Sequence, residues 1–217
     1  MNIYKKSSIT LPSYTTGEEI ANSVLHGVGV LGAVTGLVML ILKPHMSNFD
    51  RVGVVIFSAT MIAMFLFSTL YHAIQHNGAK RIFRKFDHCV IYIFIAGSYT
   101  PFCLSGLGGA WGWSIFGFEW FLALAGIMLN IFDIKILKKI EIAIYLLMGW
   151  AIVAGFIPLI RSSIPGISLG FLLAGGIAYT LGAFCYRMKS IRYNHVIWHV
   201  FVIAGTVCHW FAVWNLS

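Results

Sequence analysis

The chain has 217 residues, 59% of them hydrophobic and 10% charged, with a formal net charge of +8 and a mean hydropathy of +0.85. That composition excludes an ordinary soluble domain. A positive surplus of this size suggests nucleic acid as a partner, but its placement excludes that reading, because lysines and arginines collect in alternate connections between apolar runs.

Crossing a hydrocarbon layer of ~30 Å takes about 18 apolar residues or more. Seven such runs are present, at about 20–42, 52–74, 88–105, 111–131, 140–160, 167–186 and 194–215. The sequence therefore predicts an all-α polytopic membrane protein: a short tail, 1–18, followed by one seven-span domain, 19–217. The first run is longer than a signal-peptide core and lacks a clear cleavage site, so it is expected to be retained. Short connections make neighbouring spans antiparallel.

Taken in chain order, the spans carry few polar groups. The first holds Glu19, Asn22 and His26 in "EIANSVLH", a spacing that puts all three on one helical face. Farther along it, Gly32 and Gly36 have the small-residue spacing that lets helices approach closely. The second span ends on Ser68 and His72 in "STLYH", and the third opens on Asp87 in "KFDHCV". His88 follows Asp87 but points about 100° away on a helix. The fourth span contains Glu119 in "FGFEWF", a carboxylate with no assigned role. The seventh opens with His195 and His199 in "HVIWH", one turn apart, and His209 follows roughly 15 Å farther along. His45 and His76 fall in connections or at span ends. Cys89, Cys103, Cys185 and Cys208 all fall inside spans without a C-x-x-C pair, and are expected to act as small apolar core residues.

The cations set the orientation. Lys5 and Lys6, then Lys80, Arg81, Arg84 and Lys85, then Lys135, Lys138 and Lys139, then Arg187, Lys189 and Arg192 lie on one side; Lys43, Arg51 and Arg161 lie on the other. The positive-inside rule then places the N-terminus in the cytoplasm and the C-terminus outside. With that orientation, the first, second, third and seventh spans all bring polar side chains to the cytoplasmic leaflet. A single polar residue in a span ordinarily just bonds a neighbouring helix. An isolated charged side chain there is costly, whereas imidazoles gathered at one depth can share a metal ion. Three histidines with a carboxylate and a water suit zinc. His72, Asp87, His195 and His199 are the candidates, and His209, in the outer half, is expected to be a packed core residue.

These motifs, in this order, resemble the progestin and adipoQ receptor family and, within it, the bacterial hemolysin III-type membrane proteins. The resemblance covers essentially the whole chain. It implies a seven-helix fold with a cytoplasmic N-terminus, a bacterial cell-membrane location, and a zinc ion held by His72, His195 and His199, with Asp87 as a ligand directly or through water. Receptor members of the family are linked to hydrolysis of ceramide-like lipid amides, and bacterial members to membrane lipid homeostasis. The brief tail and small outer loops argue against a hormone-receptor role. The leading expectation is metal-assisted hydrolysis of a lipid amide or ester, with Asp87 handling the proton, Ser68 steadying the water or oxyanion, and Glu19, Asn22 and His26 supporting the ligands from behind. The alternative is a non-enzymatic membrane-state sensor or membrane-perturbing protein in which zinc is structural. Membrane lipids are the expected partners in either case, and oligomeric state is not legible.

Overall fold

The structure, a computed structural model, describes residues 11–132, 135–188 and 190–216; within it the side chains of 135–139 and 156 are left out. Lys5, Lys6 and Lys189 therefore lie outside the described residues, as do the side chains of Lys135, Lys138 and Lys139. Among the described residues the protein is all helical: α1 (Thr16–Ile41), α2 (Asn48–Ala73), α3 (Asn77–Pro101), α4 (Gly109–Ile131), α5 (Lys135–Gly149), α6 (Phe156–Arg161), α7 (Gly166–Arg187) and α8 (Asn194–Trp214). Six helical stretches are long and apolar enough to cross a bilayer, and Ile140–Gly155 is a shorter apolar one.

Burial is inverted relative to a soluble protein. Leu31, Phe121 and Leu147 are each about two-thirds exposed, while Asn22, Glu119 and Thr100 are fully buried. Apolar side chains facing outward require a lipid environment, and polar groups facing inward mark where the helices hold one another.

α1 packs against α2 and α8, α2 against α3, α3 against α4 and α5, α5 against α7, and α7 against α8, so the bundle closes on itself with α4 on the outside. Two contacts pin α1 to α8. The Trp210 ring lies where a Cβ on Gly36 would be, only 2.6 Å from that position, while Gly32 faces open space. The expected small-residue contact thus comes down to Gly36 alone. At the far end, Lys43 donates to the Trp214 carbonyl and lies 5.1 Å over the Trp214 ring.

Three boundaries depart from the sequence expectation. α1 begins at Thr16, inside the expected tail, because Thr15 and Glu18 form a reciprocal capping box. α3 begins at Asn77, well before the apolar run, so Lys80, Arg81, Arg84 and Lys85 stand on its first turns instead of in a loop. His76 caps this start by accepting from the Ala79 N–H at 3.3 Å. The fifth span is not one helix: α5 stops at Gly149, a 3₁₀ segment covers Ala151–Gly155, and α6 follows. Pro158 has no N–H to offer the Ala154 carbonyl, and Gly149 and Gly155 flank the break. In a bilayer the freed backbone groups need partners. Tyr99 on α3 provides them: its hydroxyl lies 2.8 and 2.9 Å from the Met148 and Gly149 carbonyls and accepts the Ile152 N–H at 3.0 Å. A second irregularity, a π-helical turn over Phe102–Leu107, follows Pro101 and ends at Gly108, whose φ of 58° suits a residue without a side chain.

Candidate metal centre

The last turns of α2 and the first turns of α1 and α8 meet at one end of the bundle. His72, His195 and His199 each present a ring nitrogen there, all within 4.8 Å of one another, and all three side chains are buried. The Nε2 atoms of His72 and His195 stand 3.1 Å apart. Glu19 fixes the first of these rings, its Oε2 lying 2.6 Å from His72 Nδ1. With Nδ1–H donated to the carboxylate, Nε2 keeps its lone pair and points it at His195. A carboxylate, imidazole and metal in series have this arrangement.

Lys80 completes the support. Its ammonium lies 2.9 Å from Glu19 Oε1 and donates to the carbonyls of Tyr71, His72 and Ile74 at 3.0–3.4 Å. Those are end carbonyls of α2, so one buried cation both caps the helix and holds the carboxylate that orients His72. From sequence alone Lys80 is one of the topology charges and nothing more. Its position eight residues beyond His72 carries no helical-spacing signal, because the helix is interrupted between Ala73 and Asn77.

His26 stacks on His199 with ring centres 3.7 Å apart and planes within 15°, and the backbone of Asn22 approaches the same ring. The first-span stripe of Glu19, Asn22 and His26 therefore does face the cluster. Tyr14 stacks on His195 at 5.0 Å, covering it from outside the spans; burial pushes its phenol far above the ordinary value, so it stays protonated. No sequence signal singled out Tyr14.

Around the trio, buried polar atoms lack protein partners among the described residues: both nitrogens of His26, the Asn22 amide and Ser68 Oγ. Orphaned groups of this kind are rare unless water, an ion or a ligand meets them. Three convergent imidazoles, one of them oriented by a carboxylate, form a donor set that fits a divalent transition metal.

Asp87 is buried on α3 but is not one of the groups inside the 4.8 Å set. It lines, with Ser68, His26, His195 and His199, a cavity of about 270 Å³ that leads from the trio into the bundle. Also lining the cavity is a second polar group that sequence reasoning missed. His88 Nδ1 lies 3.0 Å from Glu141, whose other oxygen accepts from Asn130 at 3.0 Å and Tyr145 at 2.8 Å. His88 is thus paired with a carboxylate, turned away from Asp87 as its position on the helix requires. Glu119 is fully buried, and neither of its oxygens has a hydrogen-bond partner among the described residues. His209 lines the far end of the cavity, and the cysteines are free.

A closed helical bundle, apolar outside, with a three-histidine cluster buried at one end, is a polytopic membrane protein with a candidate metal centre. The family is shown by comparison with known proteins: residues 14–210 match the family described as haemolysin-III related, and the chain belongs to it. The hemolysin-3 homolog of Bacillus subtilis (strain 168) is 40% identical over 202 residues, covering 92% of this chain and 94% of the relative. Hemolysin-3 of Bacillus cereus is 37% identical over 198 residues, 90% of each. The human monocyte to macrophage differentiation factor is 28% identical over 215 residues, 93% of this chain and 85% of that one.

Proposed function

We propose that the protein is a zinc-dependent hydrolase of ceramide-like lipid amides or esters, acting in lipid homeostasis of a bacterial cell membrane. His72, His195 and His199 hold the zinc, and Asp87 and Ser68 do the chemistry on the substrate. The observation that carries this reading is the cavity beside the histidine trio, with Asp87 and Ser68 on its wall; a purely structural site needs no such space.

Zinc held by His72, His195 and His199 would supply Lewis acidity to a carbonyl and lower the pKa of a water toward ~7. Asp87 takes the proton of the attacking water and returns it to the departing amine or alcohol. Ser68 Oγ, buried without a protein partner, donates to the carbonyl oxygen as negative charge grows on it. Glu19 holds His72 in the tautomer that leaves Nε2 free, and Lys80 holds Glu19. The acyl chain lies along Phe94, Trp198 and Val202 on the cavity wall. The twelve-to-three division of lysine and arginine supports an inward N-terminus and an outward C-terminus, which puts the trio in the inner leaflet.

The name hemolysin borne by the Bacillus relatives supports a second reading, in which a membrane-perturbing or sensing protein uses zinc only to staple α2 to α8. One experiment separates the two: fatty-acid release from lipid amides and esters in micelles, by wild type and Asp87→Asn at equal zinc content. Release by wild type alone supports the enzyme. Full zinc occupancy with no turnover of any substrate, alongside vesicle leakage unaffected by Asp87→Asn, sinks it.

A further inference from the structure

The deep end of the cavity has its own chemistry. Most polar groups on that wall satisfy one another: Tyr179 OH bonds Thr206 at 3.0 Å, Thr206 bonds the Val202 carbonyl at 2.8 Å, and Thr180 donates to the Gly176 carbonyl at 2.8 Å while accepting from Trp150 at 3.0 Å. His209 differs. Its side chain is only 9% exposed and lines the cavity. The ring approaches the Leu172 carbonyl, and beyond that no described residue offers either nitrogen a hydrogen bond.

The surroundings are shaped to hold this ring. A Cβ on Gly175 would lie 2.2 Å from His209 Cδ2 and 2.6 Å from Nε2, so α7 carries no side chain where the imidazole sits. Tyr179 meets it edge-on at 5.2 Å. A neutral imidazole has one N–H and one lone pair. With the N–H turned toward the Leu172 carbonyl, the lone pair remains, buried among wall groups whose own hydrogen bonds are already made. Leaving it unmet is costly, and what meets it must be a donor.

We propose that His209 is a specificity-determining contact, accepting a hydrogen bond from a hydroxyl carried on the bound chain. His209 is ten residues beyond His199 on a continuous helix, which sets that hydroxyl about 15 Å from the lipid's head. The ligand class is a long acyl chain hydroxylated along its length. This rests on the reading of the cavity as an acyl-chain site, and it adds the position of a second polar group.

The test is competition binding to the purified, zinc-loaded protein against a fluorescent fatty acid, using stearic acid and a series of hydroxystearic acids with the hydroxyl moved along the chain. The expected result is an optimum at an intermediate hydroxyl position, tighter than stearic acid by on the order of tenfold. His209→Phe, which keeps an aromatic ring against Tyr179, abolishes the optimum, and His209→Gln retains part of it. A flat positional profile on the wild type overturns the proposal even where the Phe variant fails to fold, as does an optimum that persists in His209→Phe. If no fatty acid binds while zinc is retained, the acyl-chain reading itself fails, and the proposal with it.

Discussion

The Nε2 atoms of His72 and His195 face each other at 3.1 Å, from positions 123 residues apart. Because Glu19 occupies the His72 Nδ1 proton, that approach brings a lone pair onto the neighbouring ring, an arrangement that a proton or a cation between the nitrogens stabilises. The expected outcome is about one zinc per chain after gentle extraction. His72→Ala, His195→Ala and His199→Ala each lose most of it, and His209→Ala keeps it. Metal analysis of the four variants is the check; retention by His199→Ala together with loss by His209→Ala would put the ion elsewhere.

Glu19→Gln removes the charge that orients His72 but leaves every imidazole in place. Zinc affinity should fall 10- to 100-fold, the usual loss when a ligand's hydrogen-bond partner is changed, with the helical content intact. Titration with a competing chelator reads this directly, and unchanged affinity would mean that the Glu19–His72 contact orients nothing.

Lys80 joins Glu19 to three end carbonyls of α2. Lys80→Met should lower the thermal midpoint in detergent clearly more than Arg187→Gln does, since Arg187 is exposed at the end of α7. Loss of a buried, charge-assisted contact set costs roughly 1–3 kcal/mol, whereas an exposed cation contributes little. Equal midpoints would reduce Lys80 to a topology charge.

Tyr99→Phe leaves ring packing intact and removes the one hydroxyl that serves both sides of the break after α5. A destabilisation of about 1–3 kcal/mol is expected, with faster amide exchange confined to 148–152. A midpoint equal to wild type would show that the break satisfies itself.

The charge split also makes a plain prediction about topology. Reporters fused at the C-terminus should be active only on the outer face, and those at the N-terminus only in the cytoplasm. The reverse pattern would put the basic connections on the outer face.

Much of the site was legible because intramembrane polar residues are scarce, so each one drew notice. Glu19, Asn22, His26, Ser68, His72, His195 and His199 stand out against apolar sequence, and helical spacing alone groups them into stripes. Lys80 and Glu141 escaped for the opposite reason: both lie beside charge-rich connections, where a buried charge and a solvated one look alike in sequence. Hydropathy makes the fifth span one helix because it does not register backbone hydrogen bonding, and Pro158 with two glycines matters more than the apolar run they interrupt. Tyr14 depends on how the chain before α1 folds back over α8, which no local pattern encodes.

Of the three imidazoles that converge, one arrives with α2 and two arrive only with α8, far later in the chain. During synthesis, then, everything up to Tyr193 can be in the bilayer with no centre to load, and His72 waits beside Glu19 until α8 slides in between α1 and α7. Any metal the trio holds is consequently taken up only after α8 has joined the bundle: chains stalled or clipped before Asn194 carry no such centre, and a difference in bound metal would tell them from chains that contain α8.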